Sequence, residues 1–195
     1  MSTIANTTDG TSESLAPKTE AMPRQGKGTS DGEGHGRSDV MPWEEAEQRM
    51  RKGGWFWMAS VLPDGAPHVM PLFAAWSGSS LFIASKDTTR KSRNLVADGR
   101  CVITTDTGDV HLIIEGDASR IADNETLHRA SDVFRAIYDW PTNVTGEQLD
   151  AEYGAPTSGG PPYEVFGIVP RKAFGFPTDG ESFAPTRWRF DGYER

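Results

Sequence analysis

The placement of the aromatic residues divides this chain before any other feature does. All nineteen Phe, Trp and Tyr of the 195-residue sequence lie from Trp43 onward, and the first forty residues contain none. Those forty hold eleven Ser or Thr and six Gly, with Ile4, Leu15 and Val40 among their few large aliphatics. Such a segment cannot bury enough apolar surface to offset its ordering entropy. The expectation is a disordered tail over 1–40 and one folded domain over 41–195. A glycine cluster in the tail, Gly32-Glu33-Gly34-His35-Gly36, has neither a strand before it nor a helix pattern after it, so it does not read as a phosphate loop.

The single cysteine, Cys101, excludes an internal disulfide framework and a Cys-rich zinc module. No apolar run approaches the roughly 20 residues of a membrane helix. The first ten residues lack the basic start and apolar stretch of a secretory signal. A net charge of -8 disfavours nucleic acid and anionic lipid as partners. The expectation is a cytoplasmic protein that binds neither nucleic acid nor membrane.

From Trp43 the pattern becomes regular. Pro42-Trp43-Glu44-Glu45 suits a helix start, running to about Lys52 before Gly53-Gly54 breaks it. Trp55 to Leu62 is short and aromatic and reads as a buried strand. Its three consecutive aromatics, Trp55, Phe56 and Trp57, must point to opposite faces. Pro63-Asp64-Gly65 makes a turn because Pro presets one dihedral and Gly supplies the left-handed one. Strands follow at Ala66–Trp76 and Leu81–Ala84, then a hairpin of Arg100–Thr105 and Val110–Ile121 around Thr107-Gly108-Asp109. Asp123 or Asn124 caps a helix with Leu127, Ala130, Phe134, Ile137 and Tyr138 at helical spacing, which Pro141 stops. Residues 141–162 read as a loop with room for one helical turn around Glu147–Tyr153. Tyr163–Phe176 is a last long strand in which Pro170 implies an edge or a bulge. Six strands joined by tight turns, with helices at the margins, predict a mainly β fold: a small six-stranded antiparallel barrel.

One stretch carries chemistry. Within Ser85–Arg100, Lys86, Arg90, Lys91, Arg93 and Arg100 oppose only Asp87 and Asp98. Thr88 or Thr89 can cap a short helix there, ending near Gly99. A helix start with hydroxyls and cations suits a phosphate, because orphan amides and the dipole favour an anion. A solvated helix face explains the same charges. His68, His111 and His128 share no metal-ligand spacing, so no metal site is expected. Cys101 reads as a small core residue, and Trp76, Trp140 and Trp188 suit packing as well as stacking on a ring.

Leu81–Ala84, then Lys91-Ser92-Arg93-Asn94-Leu95, a short spacer and Arg100–Thr105 together resemble the FMN-binding split-barrel proteins of the pyridoxamine 5'-phosphate oxidase-like superfamily. A strand, a K-x-R-N-L helix and a strand recur there in that order. Tyr163–Phe176 and Pro185-Thr186-Arg187-Trp188-Arg189-Phe190 resemble the closing motifs of its flavin and deazaflavin oxidoreductase branch. The resemblance covers about residues 43–190. It implies a homodimer of six-stranded split barrels with two cofactor sites at the subunit interface. The cofactor would be FMN or the 5-deazaflavin coenzyme (factor 420). Carried over by position, Lys91 contacts the phosphate, helped by Ser85, Lys86 and Thr89. Val69, Met70 and Pro71, in the strand after His68, run beside the ring, and Trp188 and Arg189 approach it from the carboxyl-terminal segment. The activity implied is hydride transfer to or from a small conjugated substrate, with no side chain assigned as catalytic. The rival is a non-catalytic cofactor- or haem-binding protein on the same fold. Two departures stand out. Thr89 occupies a place where relatives often carry Arg, with Arg90 shifted by one, and the substrate motif of true pyridoxine-phosphate oxidases is missing. The 141–162 insertion either covers the site or decorates it.

Overall fold

The computed structural model describes residues 16–22, 39–155 and 157–190. Ten strands and three helices follow in the order β1 (Lys18–Ala21), α1 (Trp43–Met50), β2 (Trp55–Val61), β3 (Pro67–Ser77), β4 (Ser80–Ser85), α2 (Arg90–Ala97), β5 (Arg100–Asp106), β6 (Val110–Ile121), α3 (Asn124–Tyr138), β7 (Thr142–Thr145), β8 (Gln148–Ala151), β9 (Glu164–Pro177) and β10 (Thr186–Arg189). All named strand pairs are antiparallel. The sheet order β9-β4-β3-β2-β5-β6 returns to β9, which closes a six-stranded barrel. β9 makes this closure possible by its length. Its first part pairs with β4 and β6, and beyond Pro170 it pairs with β6 and β10. The register shifts between Glu115 and Gly116, whose partners are Lys172 and Pro170, so the proline stands beside a bulge, a place where its missing N–H is tolerated.

Alternation along the strands fills the barrel. Phe56, Met58, Ile103, Ile114 and Ile168 point inward and are buried, while Trp55 and Trp57 are about half exposed, at 53% and 52%. Phe56 alone of the three consecutive aromatics enters the core. Trp43 of α1 closes one end, meeting the Trp76 and Trp188 rings edge-on at 5.6 and 5.4 Å between centroids. A second cluster lies outside the barrel. There Leu127, Ala130 and Phe134 of α3 cover Ala75 and Phe82 together with Trp140, Leu149 and Tyr163. Ala75 and Phe82 thus face one cluster while their neighbours Trp76, Leu81 and Ile83 face the other.

Two stretches differ from the sequence reading. Residues 142–151 form a β-hairpin, not a helical turn. Gly146 takes a left-handed φ of 61° at its tip, and Leu149 exchanges both backbone hydrogen bonds with Tyr163 at the foot of β9. The stretch therefore extends along the barrel wall instead of coiling. Within the first forty residues, Lys18–Ala21 is a strand on the free edge of β10, with Glu20 ion-paired to Arg187. Edge pairing needs backbone groups and not apolar side chains, so composition does not exclude it. The cluster Gly32–Gly36 lies outside the described residues.

Candidate functional site

Helix α2 is short and mostly polar, so its place depends on specific contacts more than on apolar burial. Thr89 caps it, its hydroxyl accepting the Ser92 N–H at 3.3 Å. Leu95 is its buried apolar side chain. The buried Asn94 amide donates to Ser60 Oγ on β2 at 3.0 Å, and Ser60 in turn donates to the His68 carbonyl on β3 at 3.5 Å. At the far end, Gly99 packs so close to β6 that a Cβ there would lie 2.4 Å from the Ala118 carbonyl oxygen. The helix start is thereby fixed beside the end of β4 and the β2–β3 turn.

Four hydroxyls and one ammonium meet at that helix start. Ser85 Oγ, at the buried end of β4, is 2.8 Å from Thr89 Oγ1 and 3.3 Å from Ser158 Oγ. Lys91 Nζ donates to Ser158 Oγ at 2.9 Å, to the Thr157 carbonyl at 3.3 Å and to Thr157 Oγ1 at 3.4 Å. Lys91 is only 2% exposed. Among the described residues no carboxylate lies within ion-pair distance of it. Desolvation pushes its pKa down to about 8. An ammonium buried among neutral oxygens is a place where an anion would be stabilised.

An open cleft of about 440 Å³ lies next to this cluster, lined by Leu62, Pro63, Asp64, His68 and Arg90. His68 has a buried Nδ1 without a hydrogen-bond partner among the described residues. On β3, Val69 is exposed, with Met70 and Pro71 partly so. Val69 and Pro71 are register partners of Ala59 and Trp57 on β2, on the outer face of the barrel.

The residues singled out from the sequence therefore separate into groups. Ser85, Thr89 and Lys91 come together directly, and Lys86 joins them through its carbonyl, which accepts from Thr89 Oγ1 at 2.9 Å. Val69, Met70 and Pro71 follow His68 along β3, away from the cleft. Trp188 belongs elsewhere: it is fully buried in the barrel core, its indole N–H donating to the Met41 carbonyl at 3.1 Å. A ring with no exposed surface has no face for a ligand to stack on. Arg189 is half exposed and lies 3.5 Å from a Glu20 carboxylate oxygen. Cys101 is buried, its thiol pushed up to about 12, which fits a core residue and not a nucleophile. Among the described residues no group of His, Cys, Asp or Glu could hold a metal ion.

Sequence reasoning missed Thr157 and Ser158, which reach Lys91 from 66 and 67 positions away. Nothing local marks them. It also left Ser60 unassigned, although Asn94 of the quoted motif is its partner.

A closed antiparallel barrel of six strands, with a capped helix start and a buried cation near the end of β4, defines a split-barrel protein. The chain belongs to the pyridoxamine 5'-phosphate oxidase family, which its residues 42–173 match. Solved structures agree on the fold. A conserved hypothetical protein of Mycobacterium tuberculosis is 19% identical with a TM-score of 0.54, over 72% of this chain and 87% of that one. A haem-binding protein of Mycobacterium smegmatis is 16% identical with a TM-score of 0.52, over 74% of this chain and 57% of that one. A FAD-binding protein of Mesorhizobium loti is 16% identical with a TM-score of 0.50, over 76% and 93%. No curated protein matches the chain.

Proposed function

We propose that this protein is a flavin- or deazaflavin-dependent oxidoreductase acting on a small conjugated substrate. The observation that carries the reading is the buried Lys91 ammonium, which has no counter-charge among the described residues, beside Ser85 and the Thr89 cap, on a fold whose family handles phosphate-bearing molecules. These groups fit a cofactor phosphate: two hydroxyls, a cation and the helix-start amides are the donors such a group needs. Ser85, Lys86, Thr89 and Lys91 would hold the phosphate, and Val69, Met70 and Pro71 would border the ring. Trp188, being in the core, and Arg189, engaged by Glu20, fall outside the proposed site. When bound, a flavin or deazaflavin supplies hydride transfer, and the chain's own part is to hold, orient and shield it. The similarity to a FAD-binding protein supports a flavin-type cofactor without selecting FMN or factor 420.

Absorbance and mass spectrometry of whatever is released from the purified protein test the reading. A flavin or deazaflavin is expected; haem would favour the rival, a non-catalytic carrier on the same fold. Lys91→Ala should weaken cofactor binding by about ten- to a hundredfold, the worth of one charge-assisted hydrogen bond. Arg100→Ala is the control, because that exposed guanidinium is already paired with Asp98 at the other end of α2. Equal and small losses in both variants would return the basic helix to a solvated face.

A further inference from the structure

The loop that carries Thr157 and Ser158 is built, not loose. Ala155 and Gly159 exchange backbone hydrogen bonds at 3.0 and 3.2 Å, and the Ser158 N–H donates to the Ala155 carbonyl at 3.2 Å. The hydroxyl of Tyr163, whose side chain is fully buried, accepts the Ala155 N–H at 2.9 Å and donates to the Gly159 carbonyl. A Cβ on Gly154 would lie 2.6 Å from the Gly159 carbonyl oxygen, so the turn is also tight. This clamp presents Thr157 and Ser158 to Lys91, and among the described residues the ammonium donates to those two. Ser158 Oγ lies between Lys91 Nζ and Ser85 Oγ, the two side chains assigned above to the phosphate.

We propose that Ser158 is a built-in competitor for the cofactor phosphate. Its hydroxyl takes the place of a phosphate oxygen between Lys91 and Ser85, and the tip of the loop moves off when a phosphate-bearing ligand enters. The proposal rests on the phosphate-site reading and adds the part of the 141–162 insertion to it. An ammonium can donate three hydrogen bonds, and among the described residues its three acceptors all lie on the loop, so a phosphate oxygen must displace one of them to reach Lys91. A phosphate is the better partner, because it is a charged acceptor and brings the counter-charge that the hydroxyl lacks. The loop thus holds the cation itself and yields it to a phosphate. A ligand without one has nothing to exchange for the serine.

The test uses the full chain, with FMN, the deazaflavin coenzyme, riboflavin and inorganic phosphate as probes. Ser158→Ala should bind FMN about ten- to a hundredfold more tightly, the worth of one hydrogen bond from an ammonium removed from the competing state. Riboflavin binding should not change. Hydrogen exchange of the amides of Thr157, Ser158 and Gly159 should speed up when FMN binds to the wild type. A loss of FMN affinity in Ser158→Ala would make the serine a ligand and overturn the proposal, as would slower or unchanged exchange in the loop. Should FMN bind and the loop not respond, the proposal fails and the cofactor reading stands. Should the wild type take neither FMN nor the deazaflavin, that reading fails, and inorganic phosphate decides the loop by itself. Faster exchange with phosphate in the wild type, absent in Lys91→Met, would keep the proposal, and no response in either would overturn it.

Discussion

Burying a lysine ammonium is unfavourable unless charges or acceptors offset the lost hydration. Among the described residues Lys91 has acceptors and no charged partner, and its pKa falls from the ordinary 10.5 to about 8, through desolvation. The sign of the resulting pH dependence follows. Between those two values the unfolded chain keeps a proton at this position that the folded chain has lost, so stability rises with pH through the window. Below it both states are protonated and the penalty of the buried charge is fully present. The full rise is on the order of 3 kcal/mol, at about 1.4 kcal/mol per pH unit. In chemical denaturation the wild type should gain on Lys91→Met as pH passes upward through that window. Parallel pH profiles for the two proteins would show that Lys91 keeps an ordinary pKa and is hydrated. The same residue links stability to function, because a ligand phosphate would supply the missing charge and favour the protonated form.

At the scale of elements, β1 is the part least expected from composition and the one most simply removed. It is four residues long, pairs only with β10, and adds the Glu20 carboxylate to Arg187 and Arg189. Neither core cluster draws a residue from it. A chain starting at Asp39 keeps the bridge of Val40 to Ala184 and the Met41 N–H bond to Thr186 Oγ1, and of the described residues it loses this edge strand and its flanks. Its barrel should fold and bind cofactor like the full chain, with stability lower by about 1–2 kcal/mol, the net worth of a few exposed backbone hydrogen bonds. Calorimetry decides the point. A much larger loss would make β1 part of the cooperative unit, and no loss would mean that β10 presents a bare edge in solution. The division of the chain at residue 40 stays a proposal that the same truncation tests.

The whole molecule exposes a face that a single barrel leaves uncovered. Trp55, Trp57 and Val69 are each about half exposed, at 53%, 52% and 52%, and register pairing puts Trp57 opposite Pro71 on one side and Thr104 on the other. Val69, Pro71 and Trp57 therefore form one outer surface, the surface that would border the cofactor ring. We propose that a second copy of the chain covers it, which would bring the two cofactor sites to the subunit interface. Light scattering at micromolar concentration should give about twice 21.3 kDa. Trp57→Lys, which puts a charge on this face, should yield monomers that keep the fold and bind cofactor poorly. A wild-type mass equal to one chain would sink the proposal. Among the described residues no helix is long and apolar enough to cross a membrane.

The order of the elements, most of their boundaries and the basic helix start were legible in the sequence because each depends on neighbours a few residues away. Pro63-Asp64-Gly65 turns the chain by its own dihedral preferences, and Thr89 and Asp123 cap their helices with side chains that reach three residues forward. The alternation of Trp55, Phe56 and Trp57 is likewise a property of the strand itself. What only the tertiary structure decided involves partners far apart in the chain. The hairpin at 142–151 extends because Leu149 finds Tyr163, and β1 orders because Glu20 and its neighbours meet β10, with Arg187 lying 167 positions away. Trp188 goes into the core and not toward a ligand because Trp43 and Met41 take up its ring and its N–H. Lys91 meets Ser158 because β9 and the hairpin carry that loop across the helix start. Local periodicity states which face of a segment is buried, but not which distant residue covers it. The loop over the lysine is of this second kind, so a motif marks the cation and only the packed chain shows what holds it.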